Sequence, residues 1–225
     1  MKAQEPPPLP LNDVLNAYAN GYFPMGDGHS DDSMHWYNPP MRAVMPIEDL
    51  HISRKLRKLA RTHPFEIRID SAFPDVMEGC MENRPYQWIT SDIRRLFNAL
   101  HLAGYAHSVE CWQENRLVGG IYGLALGGAF CAESMFSRVP AASKIALIHL
   151  CARLHKGGFT LLDCQILNEH TEQFGAHDLP KTEYIRRLHQ AIRGPADFLL
   201  QEITPSPTAL QLTEEFLTLR KWGNS

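Results

Sequence analysis

The pattern of apolar and polar positions is most regular in the middle of the chain. Three predicted strands cover residues 107–113, 116–126 and 129–135. The dipeptide Gly127-Gly128 is a hairpin signal, so these strands should form an antiparallel meander. Ser143 then precedes apolar residues at helical spacing, and residues 159–166 predict a fourth strand. A strand-helix-strand unit normally pairs its strands in parallel through a right-handed crossover.

Further elements are predicted on both sides of this centre. The other predicted helices cover residues 11–20, 50–61, 90–104, 168–175 and 208–219, with one more starting at Pro180, and a strand covers 65–70. Residues 1–40 stand apart, because they hold several prolines and an acidic, glycine-containing run at 26–33. We therefore expect a small N-terminal appendage over 1–40 and a main domain over 41–225 that ends in a helical tail.

Composition places the chain among folded globular proteins, with 225 residues, 44% of them hydrophobic and 21% charged. The net charge of −3 means that any contact with nucleic acid must be local. Five cysteines without a C-x-x-C pair, and eleven histidines without an H-E-x-x-H motif, indicate reduced thiols and no metal. With no signal peptide and no apolar stretch of ~18 residues, the protein is expected to be cytoplasmic and not to enter a membrane.

Polar side chains end two of the predicted strands. Asp163 and Gln165 share one face of the fourth strand, and Glu133 ends the apolar run of the third. Charged groups are costly to bury unless they are paired or used, and ligands bind at the open ends of parallel strands. A candidate reaction centre therefore competes with the alternative that these residues only cap strand ends. The intervening Cys164 should face the core, which favours a buried thiol over a nucleophile.

The predicted helix at 50–61 carries a dense cationic cluster. Its charged positions are Arg54, Lys55, Arg57, Lys58 and Arg61. A solvated helix face is one interpretation of this pattern. The other is a patch that binds the phosphates of a nucleic acid, since no comparable cluster occurs elsewhere in this acidic chain.

The predicted order of meander, helix and strand is α+β, and it is also the core order of the acetyltransferase-like (GNAT) fold. Acetyl-CoA enzymes of that fold usually hold the pyrophosphate with an R/Q-x-x-G-x-G/A turn before the crossover helix. Residues 137–144 lack those glycines, which disfavours a CoA donor and leaves a different acyl donor open. We therefore expect no cofactor.

Seven stretches spread over roughly residues 11–190 form a recognisable set. The shorter ones are Gly21-Tyr22-Phe23-Pro24, Leu50-His51-Ile52-Ser53-Arg54, Glu78-Gly79-Cys80 and Trp88-Ile89-Thr90. The longer ones are residues 117–123, 130–138 and 163–170, and the last two are highly specific. This set resembles the leucyl/phenylalanyl-tRNA–protein transferases, which serve the bacterial N-degron pathway.

The resemblance implies transfer of Leu or Phe, and sometimes Met, from aminoacyl-tRNA to proteins whose N-terminal residue is Lys or Arg. It implies an acetyltransferase-like main domain that uses neither metal nor CoA, and it assigns the reaction centre to Asp163, Gln165 and Glu133. It places a hydrophobic donor pocket around Trp88, Ile121, Phe130, Leu147 and Leu150, with Met25 beside them. The basic helix falls where the family grips the acceptor stem of the tRNA.

Three features depart from the family pattern. The N-terminal appendage is shorter than in many members. Met25 stands where a Trp commonly follows Phe-Pro, and Ile121 stands where a Met is common. The donor pocket should therefore be softer or differently shaped.

The expected chemistry is attack of an acceptor amine on an aminoacyl ester. Asp163 would orient and deprotonate the amine, Gln165 would hold the acceptor or the carbonyl, and Glu133 would recognise the cationic acceptor end. Because the ester is already activated, no covalent enzyme intermediate is required. Other classes stay open: an amidohydrolase that uses Cys164, a non-catalytic tRNA-binding adaptor, and a CoA-dependent N-acetyltransferase.

Overall fold

The structure is a computed structural model that describes residues 7–27, 34–82, 88–201, 203 and 205–219. Residues 1–6 of the predicted appendage, most of the acidic run at 26–33 and the end of the tail at 220–225 lie outside the described residues. The described chain is a mixed α+β structure built around a mixed sheet.

Nine strands and eight helices are found within the described ranges. The strands are β1 (Phe23–Met25), β2 (His35–Tyr37), β3 (Met41–Met45), β4 (Glu66–Ile69), β5 (Ala106–Gln113), β6 (Arg116–Leu126), β7 (Ala129–Ser137), β8 (Leu161–Gln165) and β9 (His177–Pro180). The helices are α1 (Leu11–Ala19), α2 (Arg54–Ala60), α3 (Phe73–Met81), α4 (Ser91–Leu102), α5 (Ala142–Lys156), α6 (Glu169–Glu172), α7 (Lys181–Arg193) and α8 (Ala209–Thr218).

The regular centre of the chain folds as predicted. The meander is β5, β6 and β7, the crossover helix is α5, and β8 pairs with β7 in parallel. The predicted first and last helices are confirmed as α1 and α8. Helix α4 begins after Thr90, whose hydroxyl accepts a hydrogen bond from the Ile93 N–H, and α6 begins after Asn168 in a capping box.

Two helix starts differ from prediction. The basic helix α2 starts at Arg54 rather than near residue 50, because the side chain of Ser53 caps it by accepting the Leu56 N–H. Helix α5 is preceded by Ala141 in a left-handed conformation with φ 68°, so Ser143 lies in the first turn instead of capping it. The Ser143 N–H donates to the Ser137 hydroxyl, which comes from the end of β7.

The sequence pattern did not predict α3, β9 or the three short strands before residue 46. The most consequential of these is β3, which lies between β8 and β9 in a seven-stranded sheet of order β4-β5-β6-β7-β8-β3-β9. Only β7 and β8 pair in parallel among the described neighbours; the other pairs are antiparallel. Strands β1 and β2 form a separate two-stranded sheet.

The large sheet separates two apolar clusters. Helices α2, α5 and α8 contribute to the cluster on one side, and α1, α3 and α4 contribute to the cluster on the other. Helix α5 starts very close to β6, since a Cβ on Gly119 would lie 2.5 Å from the Cβ of Ala142. In the part of the chain that the structure describes, no helix is both long and apolar enough to cross a membrane.

Candidate active site

Strands β7 and β8 separate partway along their length. Their parallel pairing ends at Cys131 and Asp163. Glu133 is an extra residue on β7, because the residues before and after it pair with two adjacent residues of β6. Such a bulge bends its strand and redirects a side chain. The gap beyond it holds a cavity of about 550 Å³, a size typical of small-molecule sites.

Both sides of the sheet contribute to the walls of this cavity. Residues 132–137 of β7 and 164–166 at the end of β8 form its edges, together with residues 23–25, Trp88, Ile121, Ser143, Asn168, His170 and Thr171. Met25 and Trp88 pack against the cluster that contains α1 and α4, whereas Ile121 belongs to the cluster that contains α5. The cavity therefore joins the two faces of the sheet at the point where the strands part.

Glu133 and Gln165, two of the three residues expected at the reaction centre, meet inside the cavity. The Gln165 Nε2 donates to the Glu133 Oε1 at 3.2 Å. The same oxygen accepts a hydrogen bond of 2.8 Å from the hydroxyl of Tyr18, which reaches in from α1 and is 1% exposed. Gln165 has φ 57°, so the chain leaves regular strand geometry where the amide enters the cavity.

Asp163 lies behind the cavity wall and is fully buried, at 0% exposure. Its Oδ1 accepts from the Arg42 Nε at 2.8 Å and from the backbone N–H of Gln165 at 2.9 Å. Its Oδ2 accepts from the Arg42 Nη2 at 2.7 Å and from the Tyr184 hydroxyl at 2.9 Å. Each oxygen thus has two donors, and the carboxylate fixes the backbone of Gln165.

Arg42 was missed by sequence reasoning, although a lone Arg in the apolar run of β3 was the available signal. It is 1% exposed, and its guanidinium lies between the rings of Phe23 and Tyr184, 4.5 and 4.8 Å from their centroids. Its Nη1 donates to the Gly21 carbonyl at 3.1 Å. The Arg42 side chain therefore joins three parts of the fold: β8, α7 and the N-terminal segment, which is residues 7–27 with α1 and β1. Tyr18 and Tyr184 lie on the predicted helices α1 and α7, but the sequence pattern did not indicate a role for either side chain.

The surroundings of Glu133, Tyr18 and Arg42 shift the pKa values of all three side chains. Burial raises the pKa of Glu133 to about 8, against the opposing effect of the hydrogen bond from Tyr18. Burial, followed by the charge of Glu133, raises the pKa of Tyr18 well above its usual value. Burial is the largest single effect on the pKa of Arg42 and would lower it, but the charge of Asp163 and its hydrogen bonds together outweigh burial, so the pKa is raised.

Two family models match the chain. The one described as leucyl/phenylalanyl-tRNA protein transferase matches residues 44–189, and the one described as the N-terminal domain of the same protein matches residues 9–40. The chain belongs to this family. It is therefore an enzyme, an aminoacyltransferase.

The sequence of this transferase aligns with those of its relatives over most of their length. It is 53% identical over 189 residues to the leucyl/phenylalanyl-tRNA–protein transferase of Phenylobacterium zucineum, covering 83% of this chain and 86% of that one. It is 46% identical over 191 residues to that of Caulobacter vibrioides, covering 84% and 88%. It also overlaps with the structure of L-PGS from Bacillus licheniformis at 12% identity and a TM-score of 0.39, covering 71% of this chain and 52% of that one.

The predicted donor-pocket residues of the transferase fall into two groups. Met25, Trp88 and Ile121 line the cavity. Phe130, Leu147 and Leu150 do not: they are at most 1% exposed and belong to the core between the sheet and α5. The prediction is corrected for these three, because Phe130 precedes the bend of β7 at Glu133, and Leu147 and Leu150 are buried in the apolar cluster that α5 shares with the sheet.

Cys164 also differs from prediction. We expected its side chain to face the core alone, but it is half-buried and lines the cavity beside Gln165. Burial raises the pKa of its thiol, so little of the thiolate that a nucleophile requires is present near neutral pH.

The basic helix α2 of the transferase presents its cations on the surface. Arg54, Arg57, Lys58 and Arg61 surround a shallow depression of about 400 Å³, and Lys55 is exposed on the same helix. Just before α2, the His51 N–H donates to the Phe174 carbonyl, which follows the cavity-lining helix α6. The Nε of Arg61 lies 3.9 Å from Glu214 on α8.

Metal ligands were not expected in this transferase. Over the described ranges, no group of three or more His, Cys, Asp or Glu side chains is placed to hold a metal ion. That the reaction proceeds without metal or cofactor stays a prediction.

Proposed function

We propose that this enzyme transfers Leu or Phe, and sometimes Met, from aminoacyl-tRNA to the N-terminal Lys or Arg of acceptor proteins, which marks them for N-degron degradation in the cytoplasm. The observation that carries the proposal is the cavity between β7 and β8, where Glu133 and Gln165 meet between apolar walls. The carboxyl group of Glu133 suits a cationic acceptor, the amide of Gln165 suits an acyl carbonyl, and the largely apolar walls suit an apolar donor side chain.

The reaction requires one bond exchange. The acceptor nitrogen forms a bond to the aminoacyl carbonyl carbon, the ester bond to the ribose oxygen breaks, and the proton lost by the amine goes to that oxygen. An α-amino group has a pKa of ~7.7–8.0, so a sizeable neutral fraction exists without a strong base. Positioning of the two substrates is therefore the main requirement of catalysis.

Gln165 is the side chain best placed to position the reacting groups. Its amide lines the cavity, and its backbone is held by Asp163. Because both oxygens of Asp163 are occupied by donors on Arg42, Tyr184 and Gln165, we assign Asp163 to orienting Gln165 rather than to taking the proton. This changes the role expected from the sequence and keeps the residue in the reaction centre.

Glu133 is the proposed partner of the acceptor cation. Its Oε1 is held by Tyr18 and Gln165, and it lies on the wall of a cavity whose other sides are largely apolar. An ionised carboxylate there would attract a Lys ammonium or an Arg guanidinium.

The basic helix α2 is the proposed contact for the acceptor stem. Four of its cations surround one depression, and the backbone bond from His51 to Phe174 ties the segment before α2 to the cavity wall. A row of cations on a rigid helix can follow an RNA backbone without reading its sequence.

The architecture supports an acetyltransferase-like main domain. The meander β5-β6-β7, the crossover helix α5 and the parallel strand β8 follow the order of that fold, and β7 and β8 part at the active cavity. The division into an appendage over 1–40 and a domain over 41–225 remains part of the proposal.

The direct test offers Leu-charged tRNA and a peptide that begins with Arg or Lys, with an otherwise identical Asp-peptide as control. We expect extension of the cationic peptides only, strong loss in Gln165→Ala, and retained activity in Cys164→Ser. Competition among Leu-, Phe-, Met- and Val-tRNA then measures donor preference, for which one methylene is worth ~1–3 kcal/mol. Extension of the Asp-peptide at the same rate would contradict the acceptor assignment.

A further inference from the structure

Tyr18 is a residue of the N-terminal segment whose side chain forms a hydrogen bond with Glu133. It lies on α1, is 1% exposed, and donates its hydroxyl to the Glu133 Oε1 at 2.8 Å. Its ring packs edge-on against Trp36 of β2, with the centroids 6.2 Å apart. The hydroxyl is therefore held from behind by the apolar core and from the front by the carboxyl group.

The two hydrogen bonds to Glu133 converge on one of its oxygens. Tyr18 and the amide of Gln165 both donate to Oε1, and within the described residues no hydrogen bond is found to Oε2. Two donors on Oε1 leave Oε2 as the place for a proton when Glu133 is neutral. Oε2 thus presents a donor to the cavity in the neutral form and an acceptor in the ionised form, and only the ionised form attracts a cation.

Charged and polar groups around Glu133 set the balance between its neutral and ionised forms, and Tyr18 is one of them. Asp163 on β8 opposes its ionisation, Arg42 on β3 favours it, and the thiol of Cys131 lies on the same strand. Burial raises the pKa of Glu133 to about 8, while the bond from Tyr18 acts in the opposite direction. Loss of the hydroxyl should therefore raise the pKa further.

We propose that Tyr18 is a positioning residue for acceptor recognition, which holds Glu133 so that its Oε2 binds the cationic side chain of the acceptor in a pH-dependent way. The inference rests on the acceptor assignment made above. It gives the N-terminal segment a direct part in acceptor specificity through one hydroxyl group.

The test compares the wild-type enzyme with Tyr18→Phe, which keeps the ring and removes only the hydroxyl. Near pH 7, kcat/KM for an Arg-peptide should fall by about ten- to a hundredfold, the range for a hydrogen bond to a charged group. The ratio of the wild-type kcat/KM to that of Tyr18→Phe should approach one as the pH rises toward about 10, because Glu133 is ionised in both enzymes there. The α-amine titrates equally in both measurements and cancels in the ratio.

The matched control is Tyr122→Phe, which removes a hydroxyl from another fully buried tyrosine of the same cluster. We expect the ratio of its kcat/KM for the Arg-peptide to the wild-type value to be independent of pH. The KM for an aminoacyl-adenosine donor at saturating acceptor should be unchanged in Tyr18→Phe. A pH-independent ratio, or an equal loss toward donor and acceptor, would overturn the inference and leave Tyr18 as a packing residue.

A second comparison keeps the inference falsifiable if Tyr18→Phe does not fold. The ratio of the wild-type kcat/KM for the Arg-peptide to that of Glu133→Gln should rise as the pH passes about 8, because only wild type gains an ionised carboxylate there. A ratio that does not change with pH would overturn the inference. Failure of the proposed function is recognised separately, since the wild-type enzyme would then extend no cationic peptide at any pH.

Discussion

At the residue scale, Asp163 connects the wall of the cavity between β7 and β8 to the rest of the fold. Its carboxylate accepts hydrogen bonds from β3 through Arg42, from α7 through Tyr184, and from the backbone of Gln165. Burial of an ion pair is tolerated here because each charged atom has a partner. Removing one partner leaves the other buried and unpaired, which is the more costly situation.

Asp163→Asn should therefore lower stability as well as activity, although the two side chains are nearly isosteric. We expect a loss of about 3–5 kcal/mol, the usual cost of breaking a buried pair from one side. Urea unfolding measures it. The control is Glu183→Gln, which removes a carboxylate paired with Arg186 and Arg187 on the exposed surface of α7 and should leave stability nearly unchanged. Equal stability of both variants would contradict the network described here.

Glu133 should make stability depend on pH. Its pKa is about 8 in the folded protein and 4.5 is its ordinary value, so the unfolded chain releases this proton first. In the window between these values the folded state binds more protons, and stability should fall as the pH rises. The measurement is the unfolding free energy of wild type and Glu133→Gln from about pH 5 to 9. A difference that does not change across this window would show that Glu133 ionises normally.

At the element scale, α2 has one face packed against the core and another that carries its cations. Leu56 and Ala60 are buried in the cluster beneath it, and the cations lie on the other side. Substitution of the cations should therefore change tRNA binding without unfolding the helix.

Replacing Arg54, Arg57 and Lys58 with Glu should weaken binding of intact charged tRNA and flatten its salt dependence. Each lost phosphate contact lowers the log–log salt slope by about 0.7–0.9, so about two to three units are expected. The same variant should use aminoacyl-adenosine at a near-normal rate, because that donor has no acceptor stem. Changing Arg186 and Arg187 of α7 to Glu is the charge control. Equal loss with both donors would assign α2 to the fold, and loss with neither would make it a solvated face.

At the scale of the whole molecule, the N-terminal segment and the seven-stranded sheet are joined at Gly21. Its carbonyl accepts the Arg42 bond, its φ is 81°, and a Cβ there would lie 2.6 Å from the Ile185 Cδ1 on α7. These contacts predict that the two parts unfold in one cooperative transition.

Gly21→Ala should lower stability by more than the left-handed backbone conformation alone would cost, because the added Cβ also meets neighbouring side chains. Gly104 is the matched control, because it has the same φ of 81° and a Cβ there would meet nothing within 4 Å. Gly104→Ala should cost about 1–2 kcal/mol from the left-handed backbone alone, and Gly21→Ala should cost more and also reduce acceptor use. Thermal unfolding and peptide-extension rates measure the two effects. Equal costs at the two glycines would show that the junction is not tightly packed.

The sequence by itself determined the local elements of this protein. Apolar spacing, Thr90 and Asn168 as caps, and the Gly127-Gly128 turn each act within a few residues, so the meander, α4, α5 and β8 were predictable. The polar residues that follow the apolar runs of β7 and β8 also marked Glu133 and Gln165 as candidates for the site. The resemblance of several stretches to a known family supplied the reaction class.

Only the tertiary structure decided how the charged groups pair. Arg42 and Asp163 are 121 residues apart and Tyr18 and Glu133 are 115 apart, so no local pattern connects them. The β3 strand that carries Arg42 is five residues long and inserts beside β8. The bulge at Glu133 depends on the register with β6, which the strand's own sequence does not specify. Because a carboxylate's role follows from the donors packed around it, Asp163, which the sequence alone suggests as a base, is proposed as an orienting group once its partners Arg42, Tyr184 and Gln165 are known.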